Sequence, residues 1–279
     1  MSSDGVKHYI DTAKRAMDWH SERKKEIRKQ RFDTIAVHGV YSMQEALDFN
    51  QGSIIEPIYM STSQSYRDSD EMEAALSYQI PTWCYSRIAN PSMYYLEGTI
   101  ALLEGYGADV ETSCIATASG MAAIQSSVDQ FLTLDKTDPD KPMNFVATAQ
   151  VYGGTFQQFA VRKEEEKGIE WRKVTRSNDL DDWASKIDEN TRFVYGELPS
   201  NPGLAFFNLK AVIDLAHSRG VPVIIDATVA TPALIRPIAL GADIVIQSVS
   251  KTMTSSGFGI AGAIISRKNI DSRYLPQEA

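Results

Sequence analysis

The segment QSVSK, residues 247–251, places one lysine and two serines directly after the apolar run ADIVI. Such a run predicts a buried strand, so Ser248, Ser250 and Lys251 would stand at its carboxyl end. A lysine at the end of a strand is usually a solvated charge. The same amine can instead form a covalent bond with an aldehyde, while nearby hydroxyl groups donate to an anion. Residues elsewhere in the chain decide between these two interpretations.

Polar residues follow several other predicted strands in the same manner. The segment ASGMAA opens a predicted helix at Gly120 and Met121, and the free N–H groups and dipole of a helix start favour a phosphate. Tyr152 in VYGGT could stack on an aromatic ring, and Asp226 at the end of VPVIID could keep a pyridine nitrogen protonated. Turns and helix caps explain any one of these residues alone. Together they predict a site for pyridoxal 5′-phosphate (PLP), with Lys251 as its covalent partner.

Strands and helices alternate along the chain from residue 91 onward. The segments with a strand pattern are TSCIATAS, KPMNFVATAQ, IEWRKVT, TRFVYGEL, VPVIIDAT, ADIVIQSVS and GIAGAIIS. The segments with a helix pattern are PSMYYLEGTIALLEGYG, GMAAIQSSVDQFL, GTFQQFAVRKEEE, LDDWASKI and NLKAVIDLAHSRG. This alternation predicts an α/β fold, a mainly parallel sheet flanked by helices, in which ligands bind at the carboxyl ends of the strands.

The first ninety residues have a different pattern. The first thirty are strongly charged and predict a solvated or partner-packing helix. Residues 33–91 predict irregular structure, with an extended arm at IIEPIYMSTSQSYRD. We therefore predict that residues 1–90 form an N-terminal helical extension and arm, and that residues 91–279 form a PLP-binding α/β domain.

Composition argues against several classes of protein. The chain of 279 residues has a net charge of −8 and a pI of about 5.1, which argues against nucleic-acid binding. Its two cysteines and four histidines lack metal-ligand spacing, and no apolar run has membrane-spanning length. The sequence therefore predicts a cytoplasmic protein without a bound metal, a membrane partner or a nucleic-acid partner.

Seven segments occur in a fixed order along the chain: EPIYMSTSQSY, YSRIANPS, ASGMAA, VYGGT, ELPSNP, IIDATVATP and RPIALGADIVIQSVSK. This ordered set resembles the Cys/Met-metabolism family of PLP enzymes, which has fold type I. The family contains O-acetylhomoserine sulfhydrylase, cystathionine γ-synthase, and the cystathionine and methionine γ-lyases. Its members continue into a smaller C-terminal domain, and the resemblance implies that this domain is absent from the present chain.

The resemblance implies a role for each matched residue. Lys251 would bind the cofactor covalently and carry protons, Asp226 would pair with the ring nitrogen, and Tyr152 would stack on the ring and assist proton transfer. Asn201 would hydrogen-bond the ring hydroxyl, with Glu197 supporting that contact. The residues implied to bind the phosphate are Gly120, Met121, Ser248 and Ser250.

Two residues of the segment YSRIANPS are implied to act between subunits. Tyr85 and Arg87 would reach the phosphate of PLP in a neighbouring subunit, and Tyr85 would also be catalytic. The guanidinium of Arg87 suits a phosphate because it donates two parallel hydrogen bonds. The resemblance therefore implies a homo-oligomer, a dimer or a tetramer.

The implied reaction is PLP-dependent γ-replacement on an O-acylated homoserine by sulfide or a thiol. Gly154 stands where methionine γ-lyases typically carry a cysteine, which counts against that branch. A γ-lyase acting on cystathionine or methionine stays an alternative, because the same residues serve both reactions. A second alternative is a catalytically impaired fragment or a binding protein, and Thr252 and Ser256 favour it because the family usually has tyrosine and histidine there.

Overall fold

The computed structural model describes residues 3–80, 83–132, 143–255, 257–268 and 270. The chain forms two compact units, Met1–Leu102 and Leu103–Ala279. The predicted domain organisation, with its boundary at residue 90, stays a prediction. Ser256, which the family comparison singled out, lies outside the described residues.

The first unit is helical. Its helices are α1 (Asp4–Arg28), α2 (Phe32–His38), α3 (Met43–Phe49), α4 (Ser69–Leu76) and α5 (Pro91–Glu104), the last of which ends inside the second unit. The predicted N-terminal helix and the predicted helix that begins at Pro91 are confirmed. The expectation of irregular structure over residues 33–91 was wrong for α2, α3 and α4.

Side-chain caps explain why two of these short helices form. The hydroxyl of Ser42 caps α3 by accepting a hydrogen bond from the Glu45 N–H at 2.9 Å, and it donates to the Glu45 carboxylate at 2.7 Å. Asp68 caps α4 by accepting from the Glu71 N–H at 2.9 Å. Both pairs are visible in the sequence as a capping residue three positions before a glutamate.

The second unit is built on a sheet of seven strands. The strands are β1 (Thr112–Thr117), β2 (Asn144–Thr148), β3 (Glu170–Val174), β4 (Thr191–Glu197), β5 (Val223–Asp226), β6 (Ile244–Gln247) and β7 (Gly262–Arg267). Their order in the sheet is β1-β7-β6-β5-β4-β2-β3. β6, β5, β4, β2 and β3 run parallel, whereas β7 is antiparallel to both β1 and β6. All seven predicted strands and the mainly parallel sheet are confirmed.

Helices connect these strands. They are α6 (Gly120–Asp129), α7 (Gly153–Phe156), α8 (Leu180–Ala184), α9 (Leu209–Ser218) and α10 (Thr231–Leu234). α7 continues directly into a π-helix, Gln157–Glu165, and short 3-10 helices lie at Pro237–Leu240 and Thr252–Thr254. The predicted helices are confirmed, although nothing in the sequence pattern indicated π geometry. No described helix combines the length and apolar composition that crossing a bilayer requires.

Aromatic side chains pack against the middle of the sheet. Phe145 on β2 stacks on Phe193 of β4 with ring centroids 5.0 Å apart. Phe159, from the π-helix, meets Tyr195 of β4 edge-on at 5.1 Å. All four side chains are fully buried. This packing holds β2 and β4 rigidly where they carry polar residues to the carboxyl edge.

Candidate active site

The carboxyl ends of β4, β5 and β6 meet at one edge of the sheet. The strand register sets Glu197 beside Asp226, and Asp226 beside Ile246. β6 ends at Gln247, so Ser248 and the residues after it continue past the same edge. The tertiary structure thus brings together residues that the sequence placed only at the ends of separate strands.

Asp226 is a buried acid at the centre of this edge. Its Oδ1 accepts from the Thr228 N–H at 3.0 Å, and its Oδ2 accepts a long hydrogen bond of 3.5 Å from the Tyr195 hydroxyl. Burial raises the pKa of Asp226, and the contacts with Thr228 and Tyr195 oppose that rise. A cationic N–H placed against this carboxylate would stabilise its charged form.

Thr228 links Asp226 to the loop that follows β6. Its N–H donates to Asp226, and its Oγ1 accepts from the Ser248 N–H at 2.7 Å. Sequence reasoning missed Thr228, and it missed Tyr195 as well. The signal for Thr228 is local, because an aspartate often accepts from the backbone two residues later in an Asx turn. No local signal marks Tyr195, whose contact with Asp226 depends on the pairing of β4 with β5.

The start of α6 packs closely against the loop after β6. Ser119 caps the helix by accepting from the Ala122 N–H at 3.1 Å. A Cβ atom at Gly120 would lie 2.6 Å from the Ser248 Cβ, so glycine is required there for the helix start to approach the serine. Gly120 and Ser248, two of the residues predicted to bind the phosphate, are therefore direct neighbours. The Ala122 and Ala123 N–H groups are bonded to Ser119, so the N–H groups of Gly120 and Met121 are the ones that could bind an anion at this helix start.

Ser250 and Lys251 lie on the same loop. The Ser250 hydroxyl accepts from the Ala261 N–H at 2.9 Å and donates to the Ala261 carbonyl oxygen at 3.0 Å, which ties the loop to the segment before β7. The Lys251 N–H donates to the Ser248 carbonyl oxygen at 3.1 Å, and its side chain is exposed. The amine thus stands at the edge of the sheet on a loop anchored from two sides.

Tyr152 lies at the start of α7, on the segment that follows β2. A Cβ atom at Gly154 would lie 2.7 Å from the Tyr152 ring and 2.8 Å from the Met121 sulfur. The absence of a side chain at Gly154 therefore allows the Tyr152 ring to lie close to the start of α6. Tyr152 is 45% exposed, so one part of its ring is open to a ligand.

Glu197 connects the Tyr152 segment to Asn201. Its Oε2 accepts from the Tyr152 N–H at 2.6 Å, and its Oε1 accepts from the Asn201 N–H at 2.7 Å. Asn201 follows β4 in an exposed turn. Seven of the eight residues predicted to contact the cofactor within one subunit are tied to this edge by the contacts given above, and the eighth, Met121, lies beside Gly154.

Tyr85 and Arg87 belong to the first unit, and the structure describes them there. Tyr85 forms a β-bridge with Ser63, and its side chain is 40% exposed. The Arg87 guanidinium carbon lies 5.2 Å from the centroid of the Tyr85 ring, a cation–π distance. Asn90 holds this segment to residues 59–63 by donating to the Tyr59 carbonyl oxygen at 3.0 Å.

The residues of the second unit fit PLP. Within the described part of the chain, the buried Asp226 has no ion-pair partner, which suits the N–H of a pyridinium ring. The close contact of Gly120 with Ser248 brings the start of α6 beside the Ser248 hydroxyl, and this candidate cradle has N–H and hydroxyl groups that could donate to a phosphate. The Lys251 amine, on the same loop, can react with an aldehyde. These donor and acceptor types match the ring nitrogen, the phosphate and the aldehyde of PLP.

The parallel sheet with this set of residues at its carboxyl edge defines the class as fold type I PLP enzymes. The chain belongs to the Cys/Met metabolism PLP-dependent enzyme family, whose family model matches residues 33–277. The predicted family, fold class and cofactor class are thereby confirmed.

Three known proteins illustrate the relationship. The chain is 31% identical over 240 residues to an O-acetyl-L-homoserine sulfhydrylase of Corynebacterium glutamicum, with 86% of this chain and 51% of that protein covered. It is 33% identical over 246 residues to an L-methionine gamma-lyase of Fusobacterium nucleatum, with 88% and 58% covered. A solved structure of a protein assigned as O-acetylhomoserine (thiol)-lyase of Campylobacter jejuni contains a pyridoxyl phosphate group on a lysine. The chain superposes on it with a TM-score of 0.75 at 31% identity, and the match covers 88% of this chain and 56% of the other.

The chain spans about half the length of the curated relatives it matches. The described residues of the second unit carry the predicted lysine, acid, aromatic ring and phosphate cradle. The reaction of the whole protein is taken up below as a proposal.

Proposed function

We propose that this protein catalyses PLP-dependent γ-replacement on an O-acylated homoserine, with sulfide or a thiol as the incoming group. The observation that carries the proposal is the placement of Lys251, Asp226 and the Gly120–Ser248 cradle at one sheet edge. Relatives named O-acetyl-L-homoserine sulfhydrylase and homocysteine synthase support the substrate class.

Each residue has a distinct task in this proposal. Bound PLP supplies an electron-withdrawing ring that stabilises negative charge on the amino-acid substrate. Lys251 takes a proton from the α-carbon of the substrate, and Tyr152 takes a second proton from the β-carbon as the γ-acyloxy group leaves as a carboxylate. Sulfide or a thiol then forms the new bond at the γ-carbon, and protons return to the β- and α-carbons. Asp226 keeps the ring nitrogen protonated, and Asn201 orients the ring. Ser248 and the start of α6 hold the phosphate.

The test uses the protein incubated with PLP and O-acetylhomoserine, with and without sulfide, and identifies products by mass spectrometry. We expect homocysteine only when sulfide is present. Lys251→Ala should lose both this product and the visible absorption of bound PLP, whereas Lys210→Ala, an exposed lysine paired with Asp214 on α9, should keep both. A product unchanged in Lys251→Ala would refute the proposed role of the lysine.

A γ-lyase is the second candidate, because one relative is named L-methionine gamma-lyase. Formation of 2-oxobutanoate from O-acetylhomoserine in both reactions would favour it over γ-replacement. Methionine and cystathionine would then be the substrates to test. Gly154, which stands where methionine γ-lyases typically carry a cysteine, weighs against methionine as the natural substrate.

We also propose that the protein is a cytoplasmic homo-oligomer, a dimer or a tetramer, in which Tyr85 and Arg87 contact PLP of a neighbouring subunit. Both side chains are exposed in the first unit. Large apolar side chains of the same unit are also exposed, among them Ile54 at 91% and Met60 at 94%, as expected of surfaces that pack on a partner. Cys84 and Cys114, the two cysteines of the sequence, are not joined in a disulfide, which agrees with a reducing compartment.

Mixing two inactive variants tests the shared site. Arg87→Ala and Lys251→Ala are each expected to be inactive, but a mixed oligomer would contain one site with both Arg87 and Lys251. Unfolding and refolding the two together should therefore restore part of the activity. If activity does not return while size-exclusion chromatography shows mixed oligomers, Arg87 does not act across the interface.

A further inference from the structure

Glu197 is a carboxylate buried at a place where no cation balances it. Its side chain is 4% exposed at the end of β4, and no ion pair to Glu197 occurs within the part of the chain that the structure describes. Burying a charge without a partner is costly, and acids are rarely retained in such positions without hydrogen bonds that compensate.

The compensating bonds come from two separate main-chain segments. The Tyr152 N–H donates to Oε2 at 2.6 Å, and the Asn201 N–H donates to Oε1 at 2.7 Å. Tyr152 follows β2 and Asn201 follows β4, so one side chain joins two loops that carry proposed contacts to the PLP ring. Hydrogen bonds from N–H groups to a charged carboxylate are shorter and stronger than those to a neutral acceptor.

The charged and titratable groups facing Glu197 are acids. Asp226 lies beside it on β5, and Tyr195 lies two residues before it on β4. Burial, followed by the charge of Asp226, raises the pKa of Glu197 to about 7, while the two N–H bonds oppose that rise. Glu197 therefore changes charge near neutral pH, and its charge depends on the state of Asp226.

We propose that Glu197 is a positioning residue whose charged carboxylate holds the main chain at Tyr152 and Asn201 in the arrangement that receives PLP. The proposal rests on the proposed function. The charged form offers one full acceptor to each N–H, whereas the protonated acid carries a hydroxyl on one oxygen and keeps one good acceptor. A protonated ring nitrogen at Asp226 would also favour the charged form of Glu197, since it offsets the Asp226 charge.

Two consequences follow for PLP binding. Binding releases a proton from Glu197, because the bound state favours the charged carboxylate. PLP affinity therefore increases as the pH rises through neutrality, to the extent that Glu197 contributes to it. If Glu197 had only a structural role, replacing it would lower the affinity for PLP by the same factor at every pH.

The test compares wild type with Glu197→Gln by titrating PLP and following tryptophan fluorescence at about pH 6 and about pH 8. Glutamine has the same shape but one acceptor and no titration in this range, so it imitates the protonated acid. We expect about equal affinities near pH 6 and about tenfold tighter binding by wild type near pH 8, as for one lost charge-assisted hydrogen bond. The matched control is Glu170→Gln. Glu170 is exposed and begins β3, at the edge of the sheet away from the candidate site, so this variant should follow wild type at both pH values.

Every ionisable group other than residue 197 is common to wild type and variant, so the pH dependence of the ratio of their affinities reports on residue 197. A ratio that is the same at both pH values would overturn the proposal. If Glu197→Gln does not fold, wild type alone still tests the proposal, because a PLP affinity that does not increase between about pH 6 and about pH 8 would also overturn it. Failure of the wild type to bind PLP would instead overturn the proposed function, and this inference with it.

Discussion

We expect the substitution Glu104→Gln to stabilise the second unit, by an amount that grows as the pH rises. Glu104 ends α5 with its side chain fully buried, and its Oε2 accepts from the Gln247 side-chain amide at 3.3 Å. The second oxygen of Glu104 and the amide oxygen of Gln247 have no hydrogen-bond partner among the described residues. A charged carboxylate is poorly solvated in such a place, whereas the neutral acid gains a hydroxyl donor for a nearby acceptor.

The magnitude follows from the protonation of Glu104. Burial raises its pKa from 4.5 to about 8, against smaller opposing effects of the Gln247 hydrogen bond and the Arg236 charge. Because the folded-state pKa is the higher one, the contribution of this group to stability is complete below pH 4.5 and is lost as the pH rises through 8. Between pH 4.5 and pH 7, an interval of about 2.5 pH units, this contribution to the free energy of unfolding falls by about 3 kcal/mol. Glutamine does not titrate, so the variant escapes this loss.

The assay is urea unfolding between about pH 5 and about pH 8, followed by the fluorescence of Trp171 and Trp183, which are both buried in the second unit. The free energy of unfolding of Glu104→Gln should exceed that of wild type by under about 1 kcal/mol near pH 5 and by about 3 kcal/mol at pH 7. Glu111→Gln, which changes an exposed glutamate paired with Lys268, should show no such trend. A difference that does not change with pH, or a variant less stable than wild type at pH 7, would refute the reasoning.

Two further variants test the phosphate cradle and a buried ion pair. Gly120→Ala should weaken PLP binding by at least about tenfold, because the new methyl group would lie 2.6 Å from the Ser248 Cβ. The control is Gly153→Ala, where a Cβ meets nothing within 4 Å, and it should bind PLP as wild type does. Equal affinities would contradict the cradle. Asp129→Asn should lower the free energy of unfolding by about 2 kcal/mol, because it leaves Lys163, which is 1% exposed, without its partner. The double variant with Lys163→Met should recover most of that loss in urea unfolding, and no recovery would contradict the prediction.

Prediction from sequence succeeded where the signal is local. Each strand and each long helix of the second unit has its own hydrophobic period and its own flanking turn residues, and all were identified. α3 and α4 were missed although their caps, Ser42 and Asp68, stand three residues before a glutamate. The surrounding Ser- and Pro-rich composition outweighed a cap signal that was present.

Several features of the candidate site have no local signal. β7 pairs with its chain neighbour β6 on one side, but on the other side it pairs with β1, which lies about 150 residues earlier in the chain. The hydrogen bond from the Tyr152 N–H to Glu197 and the contact of Tyr195 with Asp226 likewise join residues on different strands or loops. Hydrophobic period and turn chemistry describe neighbours along the chain, and they do not specify which distant partner a side chain meets.

The sequence by itself determined the alternating strands and helices, and it determined which side chains stand at strand ends. Lys251, Asp226 and Tyr152 could be singled out because an amine, an acid and an aromatic ring after apolar runs suit one cofactor. Only the tertiary structure decided that the ends of β4, β5 and β6 are neighbours in register and that Gly120 touches Ser248. The physical reason is that side-chain chemistry is a property of each residue, whereas proximity results from the packing of the whole sheet.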